Sequence, residues 1–182
     1  FLASVVLLGL LAGGVSAQTA ATPEELAKES AQACAASASV KATPEMVIEK
    51  VNKACELIGK EGKAAFPKFK GKNSEFIFAG TYIWVNNMEG TVLLHPVKYK
   101  MEGSTMLELK DSDGRPFVMD YIDVGKTKGS GWVAYMWPKP GEKTPSQKVA
   151  YVKKAVCDGQ DVVVACGIYD VNPDEVAKLV GK

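Results

Sequence analysis

Six residues of this chain have the types and spacing to form a recognition site. They are Tyr82 and Trp84 in TYIWVNN, His95 in TVLLHPV, Tyr135 and Trp137 in GWVAYMW, and Lys139 in the Pro-Lys-Pro that follows. Side chains two apart on a strand share a face, so Tyr82, Trp84 and Asn86 look one way. Tyr135 and Trp137 likewise share a face, and Trp132 and Met136 take the opposite one. A neutral imidazole offers one hydrogen-bond donor and one acceptor, and it changes charge near neutral pH. A lysine held between two prolines of fixed φ is aimed rather than free to sweep. With indole and phenol faces beside them, these groups suit a small molecule with a polar or anionic end and an apolar body. For each aromatic taken alone, core packing is the competing role. For Lys98, Lys100 and Lys139 the competing role is a solvated edge.

Catalytic templates are missing. The chain has no G-x-S-x-G, P-loop, G-x-G-x-x-G or H-E-x-x-H. Asp111-Ser112-Asp113-Gly114 opens like a calcium loop, but its glycine comes at the fourth place and no closing Glu follows at the required spacing. A turn is the better reading. The expectation is a non-enzymatic binding domain without metal or cofactor. Two rivals stand behind it. One is a protein-interaction module of an extracytoplasmic signalling or redox complex. The other, ranked third, is a hydrolase using His95 as base, which needs a nucleophile or carboxylate within reach of that ring.

The elements that must position these residues are legible in outline. Thr22-Pro23-Glu24-Glu25 and Thr43-Pro44-Glu45 are helix starts, each with a hydroxyl cap, proline in the first turn and acids behind it. The first helix runs to about Ser37. Val47, Val51, Ala54, Cys55 and Ile58 give the second one apolar face; it ends near Gly62 or continues to Phe66. After Pro67 the period shortens to two. FIFAG, TYIWVNN, TVLLHPV, FVMDYI, GWVAYMW, KVAYVKKAV and DVVVACGIY read as strands, with turns at Asn86 to Gly90, Asp113-Gly114 and Asp158-Gly159. Met119 to Lys128 suits either a strand or a helix across the sheet. A four-residue first hairpin loop sets Tyr82 opposite His95 and Trp84 opposite Leu93. A short helix over about 173–180 closes the chain. Helices followed by an antiparallel sheet make an α+β domain, with the N-terminal helices on one face of the sheet. The strands are apolar on both faces, so loops are expected to cover the second face.

Composition sets the outer limits. The formal charge is +1, from 22 basic and 21 acidic residues without a basic cluster, so nucleic acid is not an expected partner. Residues 1–17 carry no charge and end in Val15-Ser16-Ala17, which signal peptidase accepts. The run is shorter than the roughly 20 residues of a spanning helix. The expectation is a cleaved signal peptide at 1–17, a helical lead at 18–42 and one ligand-binding domain at 43–182, periplasmic or secreted and not membrane-spanning after cleavage. Cys34, Cys55, Cys157 and Cys166 suit disulfides in such a compartment, in any of three pairings, with helix-to-sheet bridges preferred.

From about Ala54 to Tyr169 the chain resembles the single Cache domain of bacterial extracytoplasmic sensors, in its second subgroup. The resemblance rests on GKAAF at 62–66, GTYIWV at 80–85, GTVLLHP at 90–96 and Glu102-Gly103. It continues through Asp111 to Gly114 with Phe117, GSGW at 129–132, YMWPKPG at 135–141, Lys148 with Tyr151-Val152, and Gly167-Ile168-Tyr169. It implies a long N-terminal helix on a central antiparallel sheet, with a ligand pocket on the other side under the connecting loops. It also implies a small organic ligand, often a carboxylate; as a sensor the domain is expected to hand its signal to a separate membrane-bound partner, or else to serve as a binding protein. Tyr82, Trp84, His95, Tyr135, Trp137 and Lys139 are the pocket positions carried over, and Trp132 is assigned to the core.

Overall fold

The structure is a computed structural model that describes residues 20–181; the expected signal peptide lies outside the described residues. Helix α1 (Pro23–Ser37) opens on a capping box, in which the Thr22 hydroxyl accepts the Glu25 N–H and the Glu25 carboxylate accepts the Thr22 N–H. Helix α2 (Pro44–Glu61) is capped by Thr43 and buries Val47, Val51, Ala54 and Ile58. Its apolar stripe lies on the sheet. At its end Gly62 has φ +60°, and a Cβ there would meet the Asp158 carboxylate. That carboxylate accepts the Lys63 N–H at 3.1 Å, tying the helix end to a distant hairpin. A 3-10 stretch, Gly62–Phe69, continues past Phe66.

Six strands form one antiparallel sheet: β1 (Ile77–Phe78), β2 (Thr81–Asn87), β3 (Val92–Leu94), β4 (Ser130–Pro138), β5 (Pro145–Cys157) and β6 (Gln160–Tyr169). The order is β1-β2-β6-β5-β4, with β3 also paired to β2. Alternation along the strands builds two cores. Ile83, Val85, Trp132, Val149, Val164 and Ile168 face α2, where helix α4 (Pro173–Val180) adds Val176 and Leu179. Tyr82, Trp84, Val133, Tyr135, Ala150, Val152, Val163 and Ala165 face the other way, against helix α3 (Phe117–Thr127) and the long connection before it. Trp132 thus belongs to the body of the domain, and Tyr135 lies on the opposite side.

One open choice is settled and two expectations are corrected. The open choice after Pro116 falls to a helix. Phe117, Val118, Tyr121, Ile122 and Gly125 are buried at helical spacing, and each would otherwise alternate between faces. The first hairpin does not follow the expected register, because Val85 pairs with Leu94 and Asn86 with Val92 across a bulge. The Asn87 side chain sets this loop by accepting the N–H groups of Glu89 and Thr91 at 3.1 and 2.7 Å. Strand β3 also stops at Leu94, since the His95 N–H is taken by Glu102 at 2.7 Å and Pro96 has none to give. Finally, the disulfides are not formed, and the cysteines are four free thiols. Cys34 packs in the core on the α3 side of the sheet, the upper side, and Cys166 in the core on the α2 side, the lower one. Burial pushes Cys34 and Cys55 up to about 11 and Cys166 to about 12, which keeps them protonated.

The cover is pinned at its end by Asp111. One carboxylate oxygen accepts the N–H groups of Asp113 and Arg115 at 3.0 and 2.9 Å, and the other accepts the Met136 N–H of β4 at 3.0 Å. Asp111→Ala removes three charge-assisted bonds and is expected to lower stability by about 2 kcal/mol. Urea unfolding checks this; a loss below about 0.5 kcal/mol would mean that water replaces the carboxylate.

Candidate ligand-binding site

The upper face carries a cavity walled by β2, β4, β5, α3 and the connection after β3. Its lining includes Tyr82, Trp84, His95, Tyr135 and Trp137, together with Lys148, Asn86, Phe117, Tyr121, Met101 and Met106. Five of the six residues expected from sequence are therefore brought together. Lys139 is not among them. It lies on a separate outer groove of about 500 Å³, beside Cys34, Lys41 and Tyr169, and its ammonium is held by the Asp170 carboxylate at 2.8 Å. The prolines do aim Lys139, but outward.

The dominant group is Lys148, which is 2% exposed. Its ammonium lies 4.4 Å from the Trp84 ring centroid, 5.1 Å from Tyr82 and 5.2 Å from Tyr169. These π faces are its compensation, because it has no hydrogen bond or ion pair with any described residue. Its pKa is lowered to about 8, chiefly by burial, with Cys166 and Cys34 opposing the shift and Lys98 adding a smaller push downward. The group is still mostly cationic at neutral pH. A cation this deeply buried, with no counter-anion among the described residues, is an unfavourable element of a folded protein.

Around it stand neutral donors. His95 Nδ1 accepts the Lys98 N–H at 2.9 Å, so the ring carries its proton on Nε2. Burial, followed by the charges of Lys148 and Lys98, drives the His95 pKa down to about 3, which keeps it neutral. The imidazole lies 5.0 Å from the Tyr82 ring, so the two meet despite the shifted register. Burial raises the phenols of Tyr82 and Tyr135 above their ordinary range, which fixes them as donors. The Tyr121 hydroxyl is already spent on Asn86 Oδ1 at 3.0 Å, and Asn86 in turn donates to the Gly90 carbonyl at 3.2 Å. The far wall is apolar: Phe117 stacks on Tyr135 at 4.3 Å and tilts against Trp137 at 5.4 Å.

The cavity holds about 30 Å³. That is roughly one water's share of the liquid, and it is far below a drug-sized site. A larger guest must displace part of the cover, where Met101 and Met106 are the side chains best able to re-pack.

Lys148 and the α3 residues were absent from the sequence-based set. Lys148 sits directly opposite Tyr135 in the β4–β5 ladder. Counting back from the Pro138–Pro145 pairing brings the two together, so the register of that hairpin was the missed signal.

A long helix under an antiparallel sheet, with a cation-lined hollow on the far side, defines an α+β domain built to enclose a small guest between sheet and cover. A family model described as Cache domain matches residues 45–169, more than half of the chain, and the chain belongs to that family. Cache domains are extracytoplasmic sensor domains that bind small ligands. Over 72 residues the chain is 28% identical to the methyl-accepting chemotaxis protein McpP of Pseudomonas putida, a match covering 40% of this chain and 13% of that receptor. Among solved structures, it is similar to one described as the structural basis for carboxylic acid recognition by a Cache chemosensory domain. The TM-score is 0.57 and the identity 24%, over 70% of this chain and 92% of that one. A methyl-accepting chemotaxis protein from Vibrio parahaemolyticus aligns with TM-score 0.54 and 23% identity, over 67% of this chain and 82% of that one. Among the described residues, no helix is long and apolar enough to cross a membrane.

Proposed function

We propose that this domain captures a small organic carboxylate outside the cytoplasm and serves in sensing or solute capture, without catalysis. The observation that carries the reading is the buried, unpaired ammonium of Lys148. A carboxylate is the counter-ion this site lacks. It would accept from Lys148, from the Nε2–H of His95 and from the Tyr82 and Tyr135 hydroxyls, with its apolar body against Trp84, Trp137 and Phe117. Lys139, engaged by Asp170, takes no part in these contacts. The resemblance to a carboxylic-acid-recognising Cache domain supports the same reading. Re-packing of the cover around the guest is the change that a membrane-bound signalling partner could read. The expected leader at 1–17 would deliver the domain across the membrane. A hydrolase reading is disfavoured, because a histidine with a pKa near 3 is a weak base at neutral pH.

Calorimetry and thermal-shift titration with straight-chain C2 to C6 carboxylates test the proposal, with the corresponding amides as controls. Acids should stabilise the protein and amides should not; equal responses would remove the charge from the explanation. His95→Ala or Tyr135→Phe is expected to weaken carboxylate binding by about 1–3 kcal/mol, the range for a lost partner of a buried polar group. Unchanged affinity in both variants would take these residues out of the site.

A further inference from the structure

We propose that Gly167 is the positioning residue that holds Lys148 in the cavity, so that the side chain at 167 decides whether the site accepts an anion. The inference rests on the carboxylate reading above for its functional half only. On β6 the upward-facing side chains shrink along the strand from Val163 to Ala165 to Gly167, and then Tyr169 closes the row. The Lys148 stem crosses this row at the glycine. A Cβ on Gly167 would stand 2.2 Å from Lys148 Cε, 3.0 Å from Cγ and 3.1 Å from Cδ. Real Cβ atoms do not approach carbon so closely, so the stem would have to rise off the strand. No other atom lies among the three nearest contacts. Gly167 is also not among the glycines with positive φ, so the backbone itself accepts alanine. Glycine inside a strand weakens it, and here the missing side chain is the space that the lysine fills.

Two neighbours keep the seat shut. The Tyr169 ring stands 5.2 Å from the ammonium and is fixed by its hydroxyl donating to the Pro138 carbonyl at 2.9 Å. On the other side, Thr81 donates its hydroxyl proton to the Gly167 carbonyl, which anchors β6 against β2. A stem lifted off residue 167 draws the ammonium away from the Trp84 face, and under this proposal the walls on either side leave it no equivalent place in the cavity.

The test is a cycle of Gly167→Ala, Lys148→Ala and the double variant. It is read by NMR titration of the Lys148 side chain, by thermal unfolding and by calorimetry with acetate. In the parent protein, burial is expected to hold the Lys148 midpoint down at about 8. In Gly167→Ala that midpoint is expected to move towards the ordinary value of 10.5, and acetate affinity is expected to fall at least tenfold. In the Lys148→Ala background the same glycine substitution should be neutral or slightly stabilising, since the obstructing stem is gone. If Gly167→Ala fails to fold, recovery of folding in the double variant supports the proposal, and unfolding of both overturns it. An unchanged Lys148 midpoint in folded Gly167→Ala also overturns it. If the parent protein does not bind acetate, the carboxylate reading loses support, while the titration still decides the role of Gly167.

Discussion

Lys148→Met is expected to give a protein that is more stable at pH 7 and no longer binds carboxylates. The folded-state pKa of Lys148 is about 8, below the ordinary 10.5. Below pH 8 the side chain is protonated in both folded and unfolded chains, and the full penalty of burying the charge is present. Between about 8 and 10.5 the unfolded chain binds more protons than the native one, so native stability rises with pH across that window. The shift corresponds to roughly 3 kcal/mol. Methionine keeps the unbranched stem, sets a polarizable sulfur against the Trp84 and Tyr82 rings, and carries no charge. The variant should therefore gain stability of that order at pH 7 and lose the alkaline rise. Unfolding curves from pH 6 to 11 measure both effects. In the parent protein, acetate affinity should be flat from pH 6 to 7 and decline above about 8, by up to tenfold per pH unit, because the anion binds the protonated lysine. Loss of stability in Lys148→Met at pH 7 would show that the π faces outweigh the desolvation, and the site would then have no surplus attraction for an anion.

That balance explains why much of the site was legible in sequence and its centre was not. Alternation alone places Tyr82 with Trp84 and Tyr135 with Trp137, and it separates Trp132 from them, because a strand's period is two. The capping signals at Thr22, Thr43 and Asn172 fix three helix starts through local hydrogen bonds. What failed depended on distant partners. The register of the first hairpin is set by a bulge and by the Asn87 side chain, neither of which follows from loop length. The sequence of helix α3 suits either helix or strand, because short apolar runs do not by themselves distinguish the two. Lys148 sits in a lysine-containing strand whose other lysines, such as Lys154, reach solvent. Only the pairing with Tyr135 and the gap over Gly167 reveal that this one turns inward. Lys139 showed the reverse error: flanking prolines do restrict it, but its partner Asp170 lies at the end of β6, outside the cavity.

Phe117→Ala is the substitution expected to change what the site accepts. Phe117 is 4% exposed and stacks on Tyr135 with an interplanar angle of 14°. Truncating it should destabilise the unliganded protein by about 3–5 kcal/mol, the range for emptying a buried aromatic site. The space it leaves adjoins the proposed position of the ligand's tail, on the side away from Lys148. Each methylene that a longer acid places there should regain about 0.8 kcal/mol, so the preferred chain length should move from the short end of the C2 to C6 series towards its long end. Lys148, His95 and Tyr82 lie on other elements and should keep their hold on the carboxylate, while Tyr135 loses its stacked neighbour and with it part of its fixed position; the pH profile of binding, set by Lys148, should match the parent's. Thermal-shift titration of the whole acid series against both proteins shows the change as a crossing of two curves. If the variant lost affinity equally for every acid, Phe117 would be a packing residue remote from the ligand, and the guest would have to lie with its tail towards the methionines of the cover instead. Phe117→Leu separates these cases further, because it keeps most of the volume while removing the stacked ring.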